Sequence, residues 1–193
     1  MLYSDPLFSI APSDEDEDIN APAKAKMHGV KDFKIENDRS MNYYTKLYVG
    51  SAQNEVRVAF DTQATLSLIN SSNCQGCTRK NGGFEYQRSY TIRKINDAQS
   101  TVKINDEEAK GVLAHDDLKL EKDGSQTVRE FPFLLVNYWT QSIFENIDGV
   151  IGLAKSYYSL DGNDSGSSFM SSLFQQGIIK KKIFATVFMR QNY

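Results

Sequence analysis

Two short segments far apart in the chain most constrain its fold. The first, residues 56–63 (VRVAFDTQ), is an alternating apolar run that ends at Asp61, and strand ends of this kind commonly present functional side chains. In the second, residues 147–154 (IDGVIGLA), apolar residues flank Gly149 and Gly152. Glycines inside a strand allow another backbone to pass close by. The two segments therefore predict strands, one of which presents an acidic side chain.

The rest of the sequence predicts more short strands separated by polar turns. They are residues 43–49, 56–60, 66–69, 90–95, 100–104, 111–120, 128–136 and 183–189. Strands at this spacing are typical of an all-β sandwich or barrel. One helix is predicted at residues 168–176, because Ser167 or Ser168 can cap its start, apolar residues follow at helical spacing, and Gly177 ends it.

Length and charge limit the kinds of partner. A chain of 193 residues suits one domain with a sizeable core. The net charge of -3 gives no basic surface for a polyanion, so no nucleic acid is expected as a partner. No apolar run approaches the roughly 18 to 20 residues that a membrane helix needs, so no membrane span is expected.

The N-terminal region differs from the remainder. Residues 1–34 are acidic, contain prolines, and centre on the run DEDED at residues 14–18. Such a block predicts a flexible tail, with a docking arm or the relic of a prosegment as alternatives, and residues 35–193 then form the folded domain. Residues 1–20 lack the pattern of a secretory leader. The expected location is intracellular if Met1 is the native start, and secretory or vesicular if a leader is missing.

The two segments resemble the two halves of the catalytic loop in one lobe of a pepsin-like aspartic protease. In that family the first half reads hydrophobic-Asp-Thr-Gly and the second reads Asp-Gly-hydrophobic-hydrophobic-Gly-Leu. The resemblance runs over residues 43–190 and includes residues 44–50, residues 111–116 and the predicted helix. It implies an all-β pepsin-type lobe, sandwich-like or barrel-like, with one or two short helices. Only the N-terminal lobe of such a protein is represented.

The residues that follow Asp61 depart from the family pattern. Gln63 stands where the family has a glycine, whose amide supports the carboxylate and whose small size leaves room for the facing loop and the substrate. Ala64 stands where the family usually has a serine, whose hydroxyl supports the same carboxylate. Thr62, which helps to lock the two catalytic loops together in the family, is kept.

The flap of the family departs as well. Ile104 takes the place of the tyrosine in Tyr-Gly-Thr-Gly, and residues 104–107 (INDE) contain neither tyrosine nor glycine. The family's reaction needs two carboxylates that share one proton, whereas one lobe supplies one, Asp61. Together these departures predict an inactive site.

The resulting hypothesis is a pseudo-aspartic-protease lobe that acts as a structural or interaction subunit. It would bind a protein partner through its C-terminal strand and the face around Asp61. One alternative is an aspartic endopeptidase that uses Asp61 only when paired with a second lobe or a second copy. Another alternative is a module that binds extended peptides without cleaving them. No cofactor is expected.

Cys74 and Cys77 are the only cysteines. Two thiols cannot make a structural zinc site, and His28 and His115 lie far away in sequence, so no metal site is expected. Pepsin-like enzymes often carry a small disulfide loop just after the first Asp triplet, and this pair falls at that place. The two cysteines are either such a loop, in an oxidising compartment, or free thiols.

Two further motifs have simple interpretations. The triplet Asp-Ser-Gly at residues 164–166 follows a polar turn, without the apolar strand that precedes Asp61, and is predicted to be a loop and helix cap. Asn70 and Asn163 begin glycosylation sequons, which carry meaning only in a secreted chain.

Overall fold

Eleven strands and one α-helix make up the described part of the computed structural model, which covers residues 7–10, 31–37, 43–77, 82–104, 106–140, 146–154 and 168–187. The strands are β1 (Leu7–Ile10), β2 (Lys31–Lys34), β3 (Glu36–Asn37), β4 (Tyr43–Val49), β5 (Asn54–Asp61), β6 (Leu68–Gln75), β7 (Arg93–Ile104), β8 (Glu107–Lys119), β9 (Thr127–Trp139), β10 (Gly149–Gly152) and β11 (Ala185–Val187). The helix α1 is Phe169–Gln175, and a single 3-10 turn lies at Tyr86–Arg88.

The strands form two sheets. The main sheet has eight strands in the order β3-β4-β5-β10-β6-β9-β8-β7, and a smaller sheet has the order β11-β1-β2. The first strands of the main sheet also meet β8, because Val49 of β4 pairs with Leu118. The main sheet therefore curls back on itself, as expected of a barrel-like fold. The prediction of an all-β, pepsin-type lobe is confirmed.

The main core packs between the curled sheet and helix α1. Phe169, at the start of the helix, is completely buried. Its ring centroid lies 6.2 Å from that of Phe33, 6.0 Å from that of Phe60 and 5.9 Å from that of Phe131. These aromatic contacts hold the end of β5 in place, and Asp61 follows Phe60 directly.

A second apolar cluster covers the opposite face of β6, β8 and β9. Its largest buried member is Trp139, whose indole nitrogen donates a hydrogen bond to Asn70 Oδ1 at 3.0 Å. The other buried members are Leu68, Ala109, Leu113, Leu134 and Val136. Since apolar residues lie on both faces of β9, its sequence contains the nearly continuous apolar run at residues 131–136 (FPFLLV).

The helix begins and ends as its sequence predicts. Ser168 caps it, because its hydroxyl oxygen accepts a hydrogen bond from the backbone amide of Ser171 at 3.3 Å. Gly177 follows with a φ of 69°, a left-handed conformation that glycine adopts without steric cost.

The N-terminal region contains more structure than a tail alone. Strands β1 and β2 fall within residues 1–34, and Phe33 is 3 % exposed in the main core, two residues before the predicted start of the domain. The physical reason is strand pairing: a strand as short as β1 (LFSI) gains its stability from the backbones of β2 and β11 on either side. The acidic run at residues 14–18 lies outside the described residues, so its flexibility stays a prediction.

Two predicted strands merge into one. The sequence suggests separate strands at residues 90–95 and 100–104, whereas β7 is continuous from Arg93 to Ile104. The polar stretch between them holds the irregularity in register between Lys94 and Gln99, and pairing with β8 on both sides of it keeps the strand continuous. Cross-strand pairing overrides the local turn signal here.

Candidate functional site

The two motif segments lie side by side in the main sheet. Strand β5 carries Asp61 at its end, and β10 runs parallel to it so that Gly152 is the register partner of Asp61. On its other side β10 pairs with β6, where Val150 is opposite Leu68. Strand β10 therefore lies between β5 and β6, and the residues that join those two strands pass around its end.

Short hydrogen bonds hold this loop closed. The amide of Leu153 donates to the carbonyl of Asp61 at 2.8 Å, and the amide of Ala154 donates to the carbonyl of Ala64 at 3.1 Å. The amide of Gly152 donates to the hydroxyl of Ser67 at 3.1 Å. The loop after Asp61 is thus fixed to β10 on both sides of the motif.

Close packing explains the two glycines of the second segment. A Cβ atom at Gly152 would lie 2.5 Å from the carbonyl oxygen of Ala64, and one at Gly149 would overlap the carbonyl oxygen of Leu68. No side chain fits at either position. The sequence-based interpretation of these glycines, as sites of close backbone approach, is confirmed.

The Asp61 carboxylate lies in a cradle of backbone amides. Its Oδ1 accepts hydrogen bonds from the amide of Gln63 at 2.7 Å and from the amide of Ala64 at 3.3 Å. The side chain of Gln63 is exposed, as is Thr62, and Gln63 is not among the described residues with positive φ. The backbone donor at position 63 therefore persists although glycine is absent, while Ala64 provides no hydroxyl.

Strands β7 and β8 form a hairpin, with β7 ending at Ile104 and β8 beginning at Glu107. Ile104 and Glu107 are register partners at the last pair before the turn, which is where the resemblance assigns the flap. The end of β9 holds this hairpin close to its tip. The Thr140 hydroxyl accepts a hydrogen bond from the Glu108 amide at 2.8 Å and donates to the Glu107 carboxylate, and the Thr140 amide donates to the Glu108 carbonyl at 3.0 Å.

Comparison with known proteins agrees with this loop geometry. A family model described as "Eukaryotic aspartyl protease" matches residues 42–193. The chain belongs to this family. Pregnancy-associated glycoprotein 1 of Ovis aries is 26 % identical to the chain over 155 residues, which is 78 % of this chain and 38 % of that protein. The chain thus spans less than half the length of this aspartyl protease relative.

An aspartate that sequence reasoning did not assign to the site lies at the base of this aspartyl protease loop. Asp148 is 1 % exposed. Its Oδ2 accepts a hydrogen bond from the amide of Arg57 and its Oδ1 one from the amide of Gly83, both at 2.8 Å. Because both oxygens accept backbone amides, Asp148 joins β5 to the loop before the 3-10 turn. Asp148 directly precedes Gly149 in the second motif segment, and this position was the signal from which its part in the loop could have been predicted.

The cysteines and the first sequon lie next to the second apolar cluster. Cys74 and Cys77 are joined by a disulfide, with their Cα atoms 5.6 Å apart, and both pack against that cluster. Asn70 is 6 % exposed, and its side-chain oxygen accepts the hydrogen bond from Trp139. In this fold the Asn70 amide is therefore inaccessible to a glycan. The second sequon, at Asn163, and the second Asp triplet lie outside the described residues.

The part of the chain that the structure describes contains neither a metal-binding cluster nor a membrane-spanning helix. No group of three or more His, Cys, Asp or Glu side chains there is arranged to hold a metal ion. Among the same residues, no helix has both the length and the apolar character required to cross a bilayer.

Proposed function

We propose that this chain is a non-catalytic lobe of the aspartyl protease family that serves as an interaction subunit. The observation that carries the proposal is that, among the described residues, the hydrogen bonds to the Asp61 carboxylate come from backbone amides and not from a second acidic side chain. Peptide hydrolysis in this family needs a second carboxylate to share the proton. Two aspartates are fully buried among the described residues, and both have other partners: Asp148 accepts hydrogen bonds from backbone amides, and Asp116 accepts one from the hydroxyl of Thr91 at 2.6 Å.

Three sequence departures support the same proposal. Gln63 adds a large polar side chain beside the carboxylate, Ala64 removes a hydroxyl donor, and Ile104 removes the flap hydroxyl. An active site would have to compensate for all three departures, because the residues that the family has at these positions bind or orient a reacting group.

The small sheet offers the surface through which such a lobe would bind. Strand β11 is its outer strand, so one side of the β11 backbone has no strand neighbour among the described residues. Ala185 and Thr186 are exposed, and Ile183 just before them is 49 % exposed. An extended strand of a partner protein can add to an edge of this kind.

A second candidate function is an endopeptidase completed by another lobe or a second copy of the chain. The retained amide cradle favours it, because the backbone of Gln63 and Ala64 still orients the carboxylate. In that case a partner must provide the second aspartate.

A proteolysis assay tests the proposal. The purified chain is incubated with an unfolded protein substrate between about pH 3 and pH 7, with and without pepstatin, beside the Asp61→Asn variant. We expect no cleavage above the level of the variant. Cleavage that pepstatin inhibits and that disappears in Asp61→Asn would contradict the proposal and favour the endopeptidase.

A further inference from the structure

An open depression lies at the ends of β6 and β9 in the main sheet. Its volume is about 470 Å³, within the range of roughly 300–1,000 Å³ that is common for ligand sites. Its lining residues are Asn73, Gln75, Gln99, Lys110, Asn137 and Tyr138. They belong to β6, β7, β8 and β9, whereas Asp61 ends β5 and pairs with β10. We call this site the amide depression, because four of its side chains are carboxamides.

Strand register places three of these side chains abreast. Tyr138 of β9 is the register partner of Gln75 in β6 and of Lys110 in β8. Trp139 and Ala109 follow and precede two of them, pair with each other, and are buried in the second apolar cluster. Since side chains alternate between the two faces of a strand, Tyr138 and Lys110 point away from that cluster. The amide depression therefore lies on a sheet whose reverse face is packed.

The disulfide loop fixes the position of Gln75. This residue lies between Cys74 and Cys77, which are bonded to each other and pack against the second apolar cluster. The next residue, Gly76, lies so close to β9 that a Cβ atom would overlap the carbonyl oxygen of Trp139. A covalent loop held against a strand limits the freedom of its backbone, so less entropy is lost when a ligand binds.

The carboxamides of the depression have no partner in the part of the chain that the structure describes. All four are exposed, and no hydrogen bond among the described residues involves any of their side chains. Each carboxamide has two N–H donors and a carbonyl acceptor. The depression therefore presents donors and acceptors together, with no internal hydrogen bond to break before a ligand binds.

The lining does not select for a charged ligand. Lys110 alone of the six lining residues is charged, and its ammonium group lies 3.5 Å from the Glu108 carboxylate. Its other neighbour is the Tyr138 ring, whose centroid lies 5.5 Å from Lys110 Nζ. Strong binding of an anion uses charge-assisted hydrogen bonds, and this lysine already has an anion beside it.

Tyr138 gives the lining its aromatic ring. The residue is 36 % exposed, and a tyrosine combines an apolar ring with a hydroxyl that both donates and accepts hydrogen bonds. A pyranose has the matching surface, because C–H groups form its faces and hydroxyls surround its rim. The ring and the carboxamides together therefore fit a sugar.

We propose that the amide depression binds a neutral oligosaccharide. Two neighbouring hydroxyls of a sugar match the N–H and C=O groups of one carboxamide, while Tyr138 packs against the C–H face of the sugar ring. An apolar ligand needs a mainly apolar lining, and an extended peptide typically adds to a strand edge rather than to a sheet face. The inference goes beyond the proposed function, because it holds whether or not Asp61 belongs to an active protease.

A glycan array gives the first test. The labelled full chain is applied to immobilised neutral and anionic oligosaccharides, beside the variants Tyr138→Ala and Gln75→Ala. The matched controls are Tyr90→Ala, at a tyrosine that is 90 % exposed, and Gln175→Ala, at an exposed glutamine of α1. We expect the chain and both controls to bind neutral glycans, and the two depression variants to lose most of that binding.

Titration with the soluble form of the best-bound glycan measures the affinities. The side-chain amide signals of the ¹⁵N-labelled chain should shift in a saturable way. Tyr138→Ala should lower the affinity about tenfold, and Gln75→Ala should lower it about threefold to tenfold, as expected for one hydrogen-bonding side chain. Asn137→Ala provides the comparison if Tyr138→Ala does not fold.

Four results would overturn the inference. Neutral glycans would bind the chain no better than the two depression variants; anionic glycans would bind more tightly than neutral ones; a Gly-Gln-Gly-Ser peptide would saturate the same signals at lower concentration than the glycan; or a glycoprotein would bind while its released glycan did not. The last two outcomes identify a peptide site and a protein surface. Neither experiment uses a protease substrate, so the result is independent of the proteolysis assay.

Discussion

Two aspartates at the paired strands β5 and β10 have different environments: Asp61 ends β5, and Asp148 directly precedes β10. Asp61 is half-buried, and one of its oxygens accepts two backbone amides. Asp148 is fully buried, and each of its oxygens accepts one amide from a different segment. Removing the charge of Asp61 should therefore affect partner binding, whereas removing that of Asp148 should affect folding.

The variant Asp148→Asn should lower the free energy of unfolding by roughly 2–3 kcal/mol, because the amide group would face a backbone N–H donor and leave it unpaired. Urea denaturation measures the change, and Asp97→Asn, at a side chain that is 93 % exposed, is the matched control. Equal stability of the two variants would show that Asp148 does not hold the loop.

The variant Gln63→Gly should restore no proteolysis. Its backbone amide already reaches Asp61, and Ala64, Ile104 and the missing carboxylate remain unchanged. Stability should fall by about 0.5–1 kcal/mol, because glycine increases the entropy of the unfolded chain and position 63 needs no positive φ. Turnover in this single variant would show that Gln63 alone blocks the site.

At the scale of the elements, the β7–β8 hairpin is fixed close to its tip. Residue 140 makes hydrogen bonds to two successive residues of β8, and β9 pairs with β8 as far as Ala109. A hairpin held in this way suits a constant binding surface better than a flap that must open and close.

The variant Thr140→Val keeps the shape of the side chain and removes its hydroxyl. We expect faster hydrogen exchange at residues 102–109 and a loss of roughly 1 kcal/mol in stability. Thr101→Val, at an exposed position of the same hairpin, is the control. If exchange rates at the tip were the same in both variants, β9 would not be what fixes the hairpin.

The sequence predicts the elements that carry strong local patterns. Strand β4 and the capped helix agree closely with prediction, and the two motif segments pair as their glycines indicate. Strands β1 and β2 were missed because β1 pairs with β11, a contact distant in sequence, and β2 pairs in turn with β1. The amide cradle of Asp61 could be anticipated from the family pattern, but the contacts of Asp148 could not, since they join segments that are distant in sequence.

At the scale of the whole molecule, the outer edge of β11 has no strand neighbour among the described residues. The chain matches 38 % of the length of its sheep relative. The proposed account is that a protein partner covers this side, with β11 as the contact edge.

Placing a charge on the edge tests this account. Ala185→Lys should weaken association with a partner or a second copy, because a lysine on an edge strand opposes strand addition. The melting temperature should hardly change, since Ala185 is exposed. Sedimentation and thermal unfolding measure the two effects, and Tyr90→Lys, at a residue that is 90 % exposed, is the control. Unchanged association would move the interface away from β11.

The central claim is that one lobe with one carboxylate does not hydrolyse peptide bonds. Its most direct test is the rate of peptide hydrolysis at acid pH across a series of chain concentrations, with Asp61→Asn at each point. The account predicts the same background rate for both proteins throughout, because neither a single lobe nor a pair of copies forms a working dyad. A specific activity that rises with concentration and is absent in Asp61→Asn would show that two copies complete an active protease, and would contradict the account.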